Sequence, residues 1–369
     1  MPNTNPNVIP TFDHKHYVPC LRWKQGEYQA LLRLTDEVKA QITPLIEIAE
    51  IGWDFEEQAD AKTVDDHLET LAKRLATKWG GRSAFVDLHL IAKQRMNDGS
   101  HPLKFVFDGF RSFGVHVVPV TSLERDEPYQ GAVDEILQLD QRGLCVRLSL
   151  QDAAGANVLQ RLNAMINRLR VQPGQVDFIL DLGAPSFDPI EGFIKMSLAV
   201  ISRLPNPSQW RTYTVCGTSF PRTMGEIERG VEVVPRKEWI FYRALLAGLS
   251  ASSRKPTFGD YVIQHPDVLQ VDMRLVKPAA SVRYAIDDAW YIVKGSNVRD
   301  NGFLQYRGHC RTLIASGQYL GESFSAGDEH IRKCATGAAK PGNLSTWRWV
   351  GTNHHIHKVV FDIANFFGP

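Results

Sequence analysis

The chain has 369 residues, 43% hydrophobic and 22% charged, and its 42 basic and 41 acidic side chains leave a formal net charge of +1. That balance gives no support to a strongly electrostatic binder of nucleic acid or membranes, although it leaves room for a local basic patch. The cysteines (Cys20, Cys145, Cys216, Cys310, Cys334) are odd in number and form no C-x-x-C pair, which fits a reducing cytoplasm and thiols buried as small hydrophobes.

Met1 to Asp13 is polar and proline-bearing and lacks the apolar core of a signal peptide. No apolar run reaches the length that spans a bilayer, so no membrane partner is expected. From Tyr17 to Asp267, short runs rich in Val, Ile and Phe alternate eight times with longer amphipathic or polar stretches. Tyr17 to Leu21 predicts the first strand. Lys24 and Gly26 follow, then a helix over about Glu27 to Lys39, where Tyr28, Leu31, Leu32 and Val38 recur at helical spacing. The second strand, Ile42 to Ile48, closes on Glu47, and a helix over Val64 to Trp79 stops at Gly80-Gly81. The third strand is Ser83 to Leu88 with Asp87 near its end, and the fourth is Val115 to Val120. The fifth is Gly143 to Leu150 with Arg147 inside, and the sixth is Val176 to Leu182 with Asp181 near its end. The seventh is Thr212 to Ser219 and the eighth Asp260 to Gln264. Val158 to Leu169 and Ile190 to Leu204 are the clearest intervening helices.

Strands this apolar are buried on both faces, as in a parallel sheet covered by helices. A doubly wound open sheet would show the same alternation. Eight units and the lack of a Gly-rich first turn favour an α/β fold of the (β/α)8 TIM-like barrel type. The rhythm changes after His265. Ser281 to Ile286 and Ala289 to Val293 read as a hairpin turning at Asp287-Asp288. Helices over Phe303 to Ala315 and Gly327 to Cys334 follow, and Thr352 to Phe367 has the pattern of a closing amphipathic helix. Residues 1–270 are therefore expected to hold the barrel, 271–350 a C-terminal α+β insertion packed on its mouth, and 351–369 the last barrel helix.

Active sites of such barrels lie at the C-terminal ends of the strands. Those ends nominate Lys24, Glu47, Asp87, Arg147, Asp181 and Asp260 as catalytic candidates. Ionisable groups in a shared bowl are costly unless paired, hydrated or metal-bound. Glu47, Asp87 and Asp181 are the oxygen ligands a divalent metal ion would take, while Lys24 and Arg147 would neutralise a phosphate or carboxylate. A structural salt-bridge layer would use the same residues.

Ser219, in Gly217-Thr218-Ser219 after the seventh strand, is a candidate substrate contact, because barrels often bind phosphate near strands seven and eight. On a helix, His354 and His357 share a face; lacking H-E-x-x-H, the trio with His355 reads as a polar helix start that caps or contacts loops rather than as a metal site. His355 remains a substrate-binding candidate, because the start of the last barrel helix lies near the mouth. Arg348, between Trp347 and Trp349, would stack a ring or base, although packing of the insertion on the barrel accounts for the same residues. Ser325-Ala326-Gly327-Asp328-Glu329 looks like a helix start capped by Ser325 or Asp328. The chain has no phosphate loop of the G-x-x-x-x-G-K-[ST] kind, no G-x-S-x-G elbow and no zinc-finger cysteine spacing.

Tyr17-Val18-Pro19-Cys20-Leu21-Arg22-Trp23-Lys24-Gln25-Gly26-Glu27, followed by Pro44-Leu45-Ile46-Glu47-Ile48, resembles the opening of the phage-type beta protein family of phages and bacteria. Phe258-Gly259-Asp260-Tyr261, Trp347-Arg348 and Asn353-His354-His355 resemble the same family. The resemblance implies a phage or mobile-element context, host defence included, and assigns no catalytic residue. With the strand-end charges, the expected function is a metal-assisted hydrolase at the barrel mouth acting on an anionic small molecule or nucleic acid. The alternative is a non-catalytic barrel that binds a host or phage protein.

Overall fold

Alternation along the strands sorts the side chains of this protein into two buried layers. In the computed structural model, which describes residues 9–205, 207–267 and 275–368, eight parallel strands form a closed barrel. They are β1 (Tyr17–Arg22), β2 (Leu45–Glu47), β3 (Ala84–Asp87), β4 (Val117–Thr121), β5 (Leu144–Ser149), β6 (Val176–Asp181), β7 (Thr212–Gly217) and β8 (Thr257–Asp260). β8 pairs back onto β1, with Val18 beside Gly259. Val18, Cys20, Leu45, Phe85, Val120, Cys145, Ile179 and Cys216 pack as one cluster inside the barrel. The residues next to them in the strands, such as Leu21, Ile46, Val86, Val146 and Leu180, face out and join the core beneath the helices. The inward place at position 259 admits only glycine comfortably. A Cβ there would stand 3.0 Å from the Val18 carbonyl oxygen and 3.2 Å from the Cys216 Cβ.

Two expected elements differ in extent. The eighth strand ends at Asp260 rather than starting there, because the apolar Tyr261-Val262-Ile263 run turns over the barrel end, with Val262 at φ 59°. The first predicted helix is broken into Gln25–Leu32 and Asp36–Ala40. Thr35 caps the second piece by accepting from the Val38 N–H.

After β8 the chain builds an antiparallel sheet from the hairpin Ala279–Ala285 and Ala289–Asn297. Its third strand, Gly230–Pro235, comes from the connection after β7 and pairs with Ala289–Asn297. The helices Gln305–Ala315 and Ala326–Thr336 cover this sheet around Val282, Tyr284, Cys310 and Ile331. Ser325 is the cap of the second helix, accepting from the Asp328 N–H. The last helix starts at Leu344, earlier than the Thr352 expected, and runs 24 residues to Phe367. Asn343 caps it, and one helix serves two cores: Trp347 and Val350 lie in the insertion, and Ile356, Val359 and Ile363 in the barrel. The expected junction at residues 270/271 lies outside the described residues. Among those described, no helix is long and apolar enough to cross a membrane.

Candidate active site

One further step along the inward parity puts a charge at the C-terminal end of five strands. Arg22 follows Cys20, Glu47 follows Leu45, Asp87 follows Phe85, Arg147 follows Cys145 and Asp181 follows Ile179. Glu47 is 2% exposed, Asp87 0% and Arg147 8%, so these charges are largely out of water and must find one another.

They converge on Arg147. Its Nη1 lies 2.8 Å from Glu47 Oε1 and 3.0 Å from Asp87 Oδ2. Its Nε donates to Asp181 Oδ2 at 2.8 Å, and its Nη2 donates to the Tyr261 hydroxyl at 2.8 Å. Tyr261 in turn donates to Asp181 Oδ2 at 2.6 Å. Asp87 also accepts from Arg125 Nη2 at 3.1 Å and sits 3.2 Å from His89 Nδ1. His89 Nε2 is 3.8 Å from Glu47 Oε1, and Arg22 Nη2 is 3.7 Å from Glu47 Oε2. Burial opposes ionisation of Asp87, but Arg125, His89 and Arg147 outweigh it and hold the carboxyl well below the usual carboxylate range. Burial also opposes the charge on Arg147; Tyr261, Asp181 and Glu47 overcome that and keep the guanidinium firmly protonated. Burial, aided by Asp181 and opposed by Arg147, pushes the Tyr261 phenol well above its ordinary value, so it keeps its proton at neutral pH. Above the cluster opens a cavity of ≈ 860 Å³ walled by Glu47, His89, Arg125, Arg147, Asp181 and Tyr261.

The three carboxylates expected to hold a divalent metal ion do not fit that role. The Arg147 guanidinium stands between them and supplies the positive charge that a metal would bring. Among the described residues, no group of three or more His, Cys, Asp or Glu is arranged to hold a metal ion.

Five other nominated residues lie outside this cluster. Lys24 is past the end of β1, where Arg22 already takes the inward place; it pairs with Glu50 at 3.0 Å and borders a separate cavity. Asp260 is on the outward parity of β8, held by the Tyr17 hydroxyl and by His355 Nε2 at 2.7 Å. Its neighbour Tyr261 turns into the mouth instead, because one residue along a strand reverses the face. His355 is 0% exposed and lies mid-helix, not at the rim, because the helix begins a full two turns earlier than expected. The helix-start role for the three histidines fails for the same reason. His354 bonds Asp328 Oδ2 and the Ala285 carbonyl, each at 2.8 Å, and His357 bonds the Asn353 carbonyl at 2.9 Å.

Ser219 donates to Glu238 Oε2 at 2.7 Å and accepts from the Lys237 N–H at 2.9 Å, tying the loop after β7 to the next helix rather than facing the mouth. Arg348 donates to the Ile263 carbonyl at 3.1 Å and runs across Gly26, where a Cβ would meet its Cγ at 2.1 Å. The neighbouring tryptophans serve packing: Trp347 stacks on Tyr306 at 4.2 Å, and Arg33 lies over Trp349.

Sequence reasoning passed over Arg22, His89, Arg125 and Tyr261. Parity carried a signal for three of them: Arg22 and His89 continue the inward count, and Tyr261 follows Asp260 in a motif already singled out. Arg125 comes from the loop after β4, and nothing in its local sequence marks it.

The family model for the Beta protein matches residues 17–361. No curated protein sequence matches the chain. Among solved structures, a mutant tryptophan synthase alpha-subunit from Pyrococcus furiosus is similar at 9% identity and a TM-score of 0.36, over 68% of this chain and 90% of that one. PbGH5A, a glycoside hydrolase family 5 enzyme from Prevotella bryantii B14, is similar at 9% identity and a TM-score of 0.35, over 70% of this chain and 94% of that one. Identities this low carry no chemistry across.

Proposed function

The chain belongs to the Beta protein family, and we propose that the barrel mouth of this member is the active site of a hydrolase for phosphate-containing or other anionic substrates. The observation that carries this reading is the cavity itself, where Glu47 and Asp181 are held in place by Arg147 while Arg125 and His89 line the same wall. Arg125 brings positive charge to an anionic substrate, and His89 offers it a ring N–H. Glu47 takes the proton of a water whose oxygen bonds to the electrophilic centre. The bond to the leaving oxygen breaks, and that oxygen takes its proton from His89. Asp181 and Tyr261 fix the guanidinium that orients Glu47. On the family resemblance and the buried free cysteines, we place this reaction in a phage or mobile-element context, with defence as its setting, and in the cytoplasm.

The test is a turnover screen of nucleotides, phosphodiesters and sugar phosphates with wild type, Glu47→Gln and Asp181→Asn, folding checked by circular dichroism. At least one substrate should be hydrolysed, and Glu47→Gln should lower kcat by about a hundredfold or more. A wild type silent across the screen, or a Glu47→Gln variant at full rate, would overturn the proposal. One observation favours a second reading, a non-catalytic barrel that binds a host or phage protein: every nitrogen of Arg147 already has a partner in the chain. That reading requires Glu47→Gln to leave capture of the protein partner intact.

A further inference from the structure

Buried or half-buried arginines in this protein generally meet carboxylates. Arg22 meets Glu47, Arg211 meets Asp177 and Arg236 meets Asp362. Arg283, on the Ala279–Ala285 strand, departs from the pattern. Among the described residues it has no ion pair; its guanidinium lies 5.7 Å from the centre of the Phe220 ring, and its Nε is shut off from solvent without a hydrogen-bond partner. Beside it stands Arg348 of the last helix. The nearest carboxylate to Arg348, Glu27 Oε1, is 3.6 Å from its Nε, and the other Glu27 oxygen is buried without a partner. Burial, and after it the like charge of Arg348, lower the Arg283 guanidinium to about 9. Two cations held together at such a cost are a place where an anion would be welcome.

Space is available there. Arg283 and Arg348 both border two cavities, of ≈ 410 and ≈ 450 Å³, between the barrel and the antiparallel sheet. Among the described residues, no carboxylate lines the first and only Asp267 lines the second. Lys277 is paired with Asp300, and Lys294 donates to the Ile227 carbonyl, so both are already engaged. Phe220 and Tyr306 give the cleft apolar walls. Guanidinium forks match phosphate oxygens two at a time, and the volumes suit a small organic ligand.

We infer that this cleft is a binding site for a phosphate-bearing small molecule, gripped by Arg283 and Arg348 and distinct from the barrel mouth. Isothermal titration of the full chain with inorganic phosphate, pyrophosphate and AMP tests it. At least one probe should bind saturably, AMP the tightest if the apolar walls take part. Arg283→Met and Arg348→Met should each weaken binding by about tenfold or more. Arg125→Met, which removes the cation facing the mouth, should leave it unchanged. Where Arg283→Met fails to fold, Arg283→Lys keeps a cation but loses the fork, and it should bind more weakly than wild type. No saturable binding of any probe, wild-type affinity in the Arg283 variant that folds, or loss of binding in Arg125→Met would each overturn the inference. The last outcome would move the anion to the mouth, which separates failure here from failure of the hydrolase proposal.

Discussion

Arg147 is surrounded by Glu47, Asp87 and Asp181, so removing its guanidinium strands three carboxylates in a largely buried site. Arg147→Met is expected to destabilise the protein by about 3–5 kcal/mol, read as a lower urea midpoint at unchanged slope. Glu238 raises a different question at the same scale. Its Oε2 accepts from the Ser219 hydroxyl, its Oε1 is buried without a hydrogen-bond partner, and burial, opposed by Arg236 and aided by Asp260, pushes its carboxyl up to about 7. An unfolded glutamate titrates near about 4.3, so between that pH and about 7 the folded chain binds the extra proton. Stability should therefore fall as pH rises across this window. Glu238→Gln removes the titration, and its unfolding free energy should be flatter than that of wild type from about pH 5 to 8. Parallel profiles for the two proteins would contradict the assignment.

The elements meet closely at two glycines, and at both an added Cβ would press on atoms that are anchored. At Gly259 of β8 an added side chain would press on the Val18 backbone oxygen and the Cys216 Cβ, both fixed by the barrel. Gly259→Val should cost about 1–3 kcal/mol or more through overpacking. At Gly26 an added Cβ would stand 2.1 Å from the Cγ and 2.5 Å from the Cβ of Arg348; the Cγ can turn away, but the Cβ is fixed to the last helix. Gly26→Ala should therefore push the first helix away from the last and lower the thermal midpoint, while perturbing the Arg348 contact with Ile263. A Gly26→Ala variant that melted like wild type would show that the two helices part there without cost. Because Arg348 belongs to the last helix, the same contact ties the first helix to the last across the seam of the barrel.

At the scale of the whole molecule, the insertion and the barrel share structure. The strand Gly230–Pro235 leaves the barrel connection after β7 to join the insertion sheet, and the 24-residue last helix contributes to both hydrophobic cores. Unfolding either part would strip a strand or half a helix from the other. Scanning calorimetry is expected to show one cooperative transition, with calorimetric and van't Hoff enthalpies in agreement. Two well-separated transitions would show that the shared elements do not couple the parts.

The sequence by itself determined the repeating strand–helix order, because strands buried on both faces must be apolar along their length and so announce themselves without any partner. It also brought Glu47, Asp87, Arg147 and Asp181 to notice, since each lies at or near the end of such a run. What it left open was the facing of each charge. Side chains alternate with a period of two, so an error of one residue at a strand end carries a group from the mouth to the outer wall, as happened between Asp260 and Tyr261. The early start of the last helix moved His355 from the expected rim into the interior by the same kind of slip. Only the tertiary structure brought in Arg125 from a loop and set the Arg147 cation among acids from β2, β3 and β6. Ion pairs between distant strands leave no local pattern in a chain, because their partners are chosen by barrel closure rather than by sequence neighbours.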